Sequence, residues 1–431
     1  MFQSYEEALH WIHSRLRLGI KPGLKRMEWM MEKLDHPEKK LKAVHIGGTN
    51  GKGSTVTFLR SILQEAGLKV GTFTSPYFEH FNERISINGS PIQEAHLIEL
   101  TNLIQPLADE LEETDLGGPT EFEVITAMSF YYFANIQPVD MALYEVGLGG
   151  RFDSTNIIEP ILSIITSIGL DHTNILGETY QEIAFEKAGI IKKNTPLLTA
   201  VKQPDAIAVI KEKAQENGAM LYQLGEKLQI EHHHSTLNGE KFTIKTILGT
   251  IQTAEISMLG QHQTENAALA VMAAQLLQMD HAPILRGLKK AYWPGRFEII
   301  STEPLVVIDG AHNEEGMETL VRELNRRYKE RKIRAIFAAL GDKKLDNMIK
   351  KIDSIAEEIT FVDFDFPRAE KAEVLLSISS SKQKRATHDW KQAITEQIQS
   401  MQANEMLVIT GSLYFLSEVK PFIESLFHRG Q

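Results

Sequence analysis

The chain has 431 residues, room for two or three domains of roughly 150 residues each, and its 42% hydrophobic and 24% charged residues give ample material for a globular core. It contains no cysteine, which excludes a disulfide framework, a thiolate metal site and a cysteine nucleophile. The formal net charge of −11 excludes a general affinity for nucleic acid, which needs a basic face; an anionic ligand can bind only where backbone N–H groups, a few cations or metal ions locally reverse the field.

Met1 to Arg17 is amphipathic and mixed in charge, without the basic start and unbroken apolar run of a signal peptide. No apolar stretch reaches the roughly 20 residues that span a bilayer. A cytoplasmic protein with no membrane partner is therefore expected. Ala43–Ile46 reads as a short buried strand that runs into a glycine loop. Val56, Leu59, Ile62, Leu63 and Ala66 then recur at helical spacing, with Gly67 as the C-cap. Val70–Thr74, Val139–Val146 and Ile161–Thr166 read as strands, the last a continuous apolar run of the kind buried in parallel sheets. Phe185–Ile191 lies on a helical stretch, and Leu197–Val201, the helix Pro204–Asn217 and Met220–Gln223 continue the alternation.

Leu237–Leu259 alternates Thr, Ile and Gly and reads as a hairpin. A helix over His262–Met279 and a turn at Trp293-Pro294-Gly295-Arg296 follow. The alternation then restarts: strand Leu305–Ile308, helix Glu314–Lys329, strands Ile333–Ala338 and Ile359–Val362, helix Trp390–Met401, strand Met406–Ile409, helix Ser412–Leu426. Such alternation predicts parallel sheets covered by helices on both faces, with one domain before Pro294 and a smaller one after it. Ligands in these folds bind beyond the carboxyl ends of strands.

Gly47-Gly48-Thr49-Asn50-Gly51-Lys52-Gly53-Ser54 follows a strand and opens a helix, the setting of a phosphate loop. Its glycines let successive N–H groups turn toward phosphate oxygens, and the helix N-terminus adds positive potential. Lys52 can reach the β- and γ-phosphates, and Ser54 can ligate magnesium. The loop is one residue short of the common G-x-x-x-x-G-K-[ST] pattern, and Gly53 separates Lys52 from Ser54. No N-K-x-D guanine-reading motif occurs. Glu145 closes an apolar strand before Gly147-Leu148-Gly149-Gly150-Arg151, where a carboxylate can hold a nucleotide-bound magnesium. His172, in Leu170-Asp171-His172, follows another strand end and is a candidate metal ligand.

The loop resembles that of the Mur ligase superfamily, and its serine form with glycine after lysine resembles the folylpolyglutamate synthase branch. The resemblance extends over nearly the whole chain: Thr74-Ser75-Pro76 with Phe81–Ile85, Gly149–Asn156, Leu170-Asp171-His172 with Leu176-Gly177, His262–Asn266, Pro294-Gly295-Arg296, Asp309–Asn313 and Thr410–Tyr414. It implies an α/β fold: an N-terminal P-loop ATPase domain with a mostly parallel sheet over 1–295, and a smaller C-terminal Rossmann-like glutamate ligase domain over 296–431. It implies a monomeric ligase that uses ATP and two Mg²⁺ ions to add L-glutamate to tetrahydrofolate, and an open question of whether dihydropteroate is also an acceptor. A cell-wall Mur ligase and a non-catalytic folate- or nucleotide-binding regulator are the alternatives; Pro76–Arg84 and two domains rather than three argue against the first.

Carried over by residue, the resemblance implies that Gly51, Lys52, Gly53 and Ser54 hold the ATP phosphates. Ser75, Glu145 and His172 would join Ser54 around magnesium, with a carbamylated Lys187 at the second ion. Asn266, Arg296 and Asp309 would contact the nucleotide. His312 would lie near the γ-phosphate or the incoming glutamate, and Arg84 would steady a carboxylate or acyl phosphate.

Other features read as structural. His232-His233-His234 is expected in a solvated loop, Glu38-Lys39-Lys40 at the surface, and Trp11, Trp29 and Trp390 in packing. Phe364–Arg368 follows a strand and is open to either structure or substrate contact.

Overall fold

The computed structural model describes residues 1–19 and 21–428. Its largest sheet holds β1 (Ala43–Gly47), β2 (Val70–Phe73), β3 (Ile85–Ile87), β4 (Ser90–Pro91), β5 (Met141–Glu145), β6 (Leu162–Ile165), β7 (Leu197–Thr199) and β8 (Leu221–Gln223), in spatial order β4-β3-β2-β5-β1-β6-β7-β8. From β2 to β8 every pairing is parallel; β3 and β4 add an antiparallel edge. Register positions the site. Ile46 lies opposite Glu145 on one side and Ile164 on the other, so the loops after β1, β5 and β6 open together at one carboxyl edge.

Helices cover both faces. On one face Val44 and Ile46 pack with Phe58, Leu59 and Ile62 of the helix Lys52–Glu65 and with the helix Gln261–Leu276. The latter buries Ala267 through Ala274 without a break. Alanine lets neighbours approach from all sides while keeping the best helix propensity. On the other face Phe73, Ala142 and Tyr144 meet the helices Lys25–Lys33, Glu94–Glu112 and Glu121–Tyr131. Trp11 and Trp29 pack against this core.

Beyond β8 the chain forms an antiparallel meander of β9 (Leu228–Thr236), β10 (Gly239–Thr246) and β11 (Gly249–Ile256). The hairpin expected over Leu237–Leu259 is formed by the second and third of these strands. The first was hidden by His232-His233-His234, which lies in β9 and not in a solvated loop. His233 turns inward, its Nε2 2.7 Å from the buried Glu240 Oε2, whereas His232 and His234 are exposed. Alternation at a period of two was present, but histidine disguised the inward position.

The last sheet comprises β12 (Glu298–Thr302), β13 (Leu305–Asp309), β14 (Lys332–Phe337), β15 (Ala356–Val362), β16 (Lys384–Thr387) and β17 (Glu405–Thr410), ordered β12-β13-β17-β14-β15-β16. It is parallel except for β12. Trp390 is buried against Phe415 beside it.

Two further expectations change. Glu38 is not solvated: it is buried in a 3₁₀ turn beside His36, 3.0 Å away, while Lys39 and Lys40 are exposed. The helix expected over Phe185–Ile191 spans Tyr180–Ala188, opened by a Thr179/Glu182 capping box. It stops where Gly189 meets the backbone of Arg151; a Cβ there would lie 2.4 Å from Arg151 Cα. Among the described residues no helix is long and apolar enough to cross a membrane.

Candidate active site

The loop between β1 and the helix Lys52–Glu65 is fastened to the end of β6. Thr49 N donates to Ser167 O at 2.8 Å, Asn50 N to Ser167 Oγ at 2.9 Å, and Thr166 Oγ1 to Asn50 O at 2.7 Å. Gly51 is left-handed (φ 88°) at the helix N-cap, and a Cβ there would stand 2.4 Å from Asn266 Oδ1. Only glycine permits both the turn and that approach. Lys52 Nζ donates to Gly48 O (3.1 Å) and Thr49 O (3.2 Å) and lies 4.0 Å from Glu145 Oε1.

Around this loop runs a cleft of about 540 Å³, walled by both the first and the last sheet. Twelve of the thirteen residues singled out from the sequence line it, from Gly51 to His312; Arg84 does not. Arg84 lies behind Ser75, donating to Ser75 Oγ at 3.0 Å, with Glu121 3.8 Å away and Tyr77 beneath the guanidinium. Seven Lys or Arg side chains and five Asp or Glu side chains line the cleft. The field of an acidic protein is thus reversed locally, as an anionic ligand requires.

Burial sets the protonation of the site. Glu145 is pushed up to about 7 by desolvation, against the pull of Lys52 and the Ser75 N–H, 3.4 Å from Oε2. Lys187 is driven down to about 7, first by burial and then by Lys52. Its Nζ donates to Gly48 O at 3.1 Å, and among the described residues no carboxylate lies within ion-pair distance of it. Asp309, at the end of β13, is raised to about 6 by burial, opposed by Arg296 and by the N–H groups of Phe297 (2.7 Å) and Ala311 (2.9 Å). His312 is lowered to about 4 by burial. Its Nδ1 lies 2.8 Å from Gly310 O. A carbonyl can only accept, so the proton is on Nδ1 and the Nε2 lone pair is free.

Glu145 and the hydroxyls of Ser54 and Ser75 are hard oxygen donors, the set magnesium prefers. Among the described residues no group of three or more His, Asp or Glu gathers into a metal cage. Magnesium at nucleotide sites takes one or two carboxylates and completes its shell with phosphates and water, so these residues fit such an ion. His172, left-handed at φ 51°, has its Nε2 3.9 Å from Asp171 Oδ1.

Four contacts across the cleft escaped the sequence reading. Asp171 Oδ1 accepts from Lys343 Nζ at 2.8 Å, and its Oδ2 from Asn313 Nδ2 at 3.1 Å. The side-chain amides of Asn50 and Asn313 exchange hydrogen bonds at 3.2 and 3.0 Å. Glu315 Oε1 accepts from Leu170 N at 2.7 Å. Asn50, Asp171 and Asn313 lay inside motifs already noted; Lys343 carried no signal. Of the two purposes left open for Phe364–Arg368, the structural one is met, since Phe364 is buried and Phe366 stacks on Tyr414 at 4.4 Å; Arg368 lines the cleft.

Residues 46–274 match the Mur ligase middle domain, and residues 295–413 the Mur ligase glutamate ligase domain. A dihydrofolate synthase/folylpolyglutamate synthase of Bacillus subtilis is 47% identical over 426 residues, covering 97% of this chain and 99% of its own. A folylpolyglutamate synthase of Lacticaseibacillus casei is 33% identical over 424 residues, covering 97% and 98%. A folylpolyglutamate synthase of Mycobacterium tuberculosis, solved with ADP and AMPPCP, superposes with a TM-score of 0.90 at 27% identity, over 97% of this chain and 98% of that one.

Proposed function

The chain belongs to the Mur ligase family, in its folylpolyglutamate and dihydrofolate synthase branch, and from that premise we propose how its cleft carries out ATP-dependent joining of L-glutamate to a folate. The observation that carries the reading is the phosphate loop at the carboxyl edge of one sheet, facing Asp309 and His312 from the other.

A carboxylate and an amine do not condense usefully in water, so the folate γ-carboxylate is first phosphorylated by ATP and glutamate then displaces phosphate from the acyl phosphate. Gly51, Gly53 and Ser54 present N–H groups to the triphosphate, and Lys52 leaves the carbonyls of Gly48 and Thr49 to meet the transferring phosphoryl group. Ser54, Ser75 and Glu145, with His172 as the one nitrogen donor, would hold Mg²⁺, which would supply charge neutralisation to the phosphates. Arg296, Asn266 and Asp309 contact the nucleotide. His312, neutral with a free Nε2, orients the attacking amine. The cross-cleft contacts of Asp171, Asn50 and Glu315 hold the cleft shut and keep water from the acyl phosphate. Arg84, behind Ser75, steadies the acceptor carboxylate only if its side chain turns from Glu121.

Lys187 suits carbamylation: its amine adds to carbon dioxide, losing a proton and gaining an anionic oxygen pair for the second ion. A half-neutral buried amine without a carboxylate partner is the species this needs. We read the enzyme as a cytoplasmic monomer without a membrane partner: residues of both sheets of one chain line the cleft, and the net charge of −11 opposes a nucleic-acid partner. The Bacillus subtilis relative, named for both activities, is 47% identical and the Lacticaseibacillus casei relative, named for folylpolyglutamate synthase alone, 33%, which favours dihydropteroate as a second acceptor. Phosphate release with ATP, magnesium and glutamate, measured with tetrahydrofolate and with dihydropteroate, tests the reading. Release with both is expected; release with neither would overturn it.

A further inference from the structure

A second charge cluster lies away from the chemistry, between the meander and the C-terminal unit. Glu240 of β10 is fully buried. Its Oε1 accepts from Gly260 N at 2.8 Å, from Arg326 Nη2 at 3.3 Å and from Arg327. Its Oε2 accepts from Ser235 Oγ at 2.5 Å and faces His233. Glu323, on the helix Glu314–Arg327, is equally buried; it accepts from Gln261 N at 3.0 Å and pairs with Arg326.

Gly260 is the N-cap of the helix Gln261–Leu276 and brings no capping side chain. Two carboxylates, 20 and 62 residues distant in sequence, occupy that place at the positive end of the helix dipole. Little more than one turn along the same helix, Asn266 lines the cleft. The helix Glu314–Arg327 runs the other way: it starts at Asn313, bonded to Asn50, and ends at Arg326 and Arg327 in the cluster. Its 14 residues make a lever about 21 Å long.

Separating the two units at this edge would strand buried carboxylates and guanidinium groups together, which is strongly unfavourable. The cleft edge is closed instead by the Asn50–Asn313 amide hydrogen bonds, the Asn313–Asp171 and Glu315–Leu170 hydrogen bonds and the Asp171–Lys343 ion pair. We propose that Glu240 is a positioning residue for nucleotide binding: with Glu323, Arg326 and Arg327 it forms the pivot about which the cleft opens, and it keeps Asn266 in register with the phosphate loop.

The inference rests on Asn266 facing the nucleotide, so Asn266→Ala is measured beside Glu240→Gln. The chain has no cysteine, so spin labels on Lys211→Cys and Lys382→Cys report the separation of the units without a background. Glu240→Gln is expected to weaken magnesium-ATP binding and raise its KM by about tenfold, with kcat at saturating ATP within about threefold and a broadened label distance. Arg327→Lys should be milder than Arg327→Met. A folded Glu240→Gln protein with unchanged KM and distance, or one that loses only melting temperature, overturns the proposal. If Glu240→Gln does not fold, Glu323→Gln and Arg327→Met decide on the same readings. An unchanged KM in Asn266→Ala overturns the nucleotide role of Asn266 and the pivot's part in it; a raised KM there with wild-type Glu240→Gln overturns the pivot alone.

Discussion

Asp171, beyond the end of β6, and Lys343, between β14 and β15, are joined by a 2.8 Å ion pair that bridges the two units across the cleft. Burial alone would raise the Asp171 carboxyl, but Lys343, His172 and His312 outweigh it and hold the group well below the usual range. Both side chains are about nine-tenths shielded, and removing one partner of a shielded pair costs on the order of 3–5 kcal/mol because the other is left uncompensated. Lys343→Met is therefore expected to hold the cleft open and lower kcat/KM for glutamate by about 100-fold, with little change in far-UV circular dichroism. Wild-type kinetics would show that closure does not depend on this pair.

Lys52 and Glu145 stand 4.0 Å apart beneath the loop, and the proposed reaction gives them separate tasks, one on phosphate and one on the metal. Phosphoryl transfer depends on charge neutralisation and alignment, so either loss should lower turnover by about 1,000-fold or more. Lys52→Ala and Glu145→Ala should both remain folded, Glu145→Ala because it removes a carboxylate whose ionisation burial already opposes. Turnover near wild type in either purified variant would refute the assigned role.

The β1 strand, its loop and the following helix were legible because period, glycines and apolar run agreed locally. Asp309 and His312 were legible for the same reason, following an apolar strand. What could not be read was contact between units. Lys343 has no local mark of function, and its partner lies 172 residues away. Arg84 shows the converse: a motif placed it near the acceptor, yet its geometry is set by Ser75 and Glu121, which come from other segments. In β9 an inward histidine broke an apolar pattern because its partner, Glu240, is also polar and buried.

Lys187 supplies a test through carbon dioxide itself. With its amine lowered to about 7, roughly half is neutral near pH 7, and that fraction falls as pH drops. Enzyme handled in carbon dioxide-free buffer should lose activity and regain it with bicarbonate. A ¹³C carbamate resonance should appear in wild type with labelled bicarbonate and be absent from Lys187→Arg. Full activity without carbon dioxide would leave Lys187 as an unmodified amine.

The last prediction concerns pH and the floor of the site. His45, wholly buried in β1, has its Nε2 2.8 Å from Thr155 Oγ1, and that hydroxyl donates to Asp153 Oδ1 at 2.5 Å. Since Thr155 gives its proton to Asp153, Nε2 is the donor, and burial keeps the ring neutral. Asp153 Oδ2 in turn accepts from Leu148 N at 2.8 Å and fixes the loop after Glu145. Burial, then Lys192, lowers His45 to about 3. A histidine depressed in the folded state stabilises fully above its unfolded value near 6.5, and that contribution is lost as pH falls toward the folded value. The loss is about 1.4 kcal/mol per pH unit, hence about 2 kcal/mol between pH 6.5 and 5. His45→Gln keeps a donor near Thr155 but cannot titrate, so its stability should fall less over that interval, by about that amount, in urea unfolding at each pH. Equal acid sensitivity of the two proteins would mean that His45 charges inside the folded sheet at little cost, and that burial does not control this site as argued.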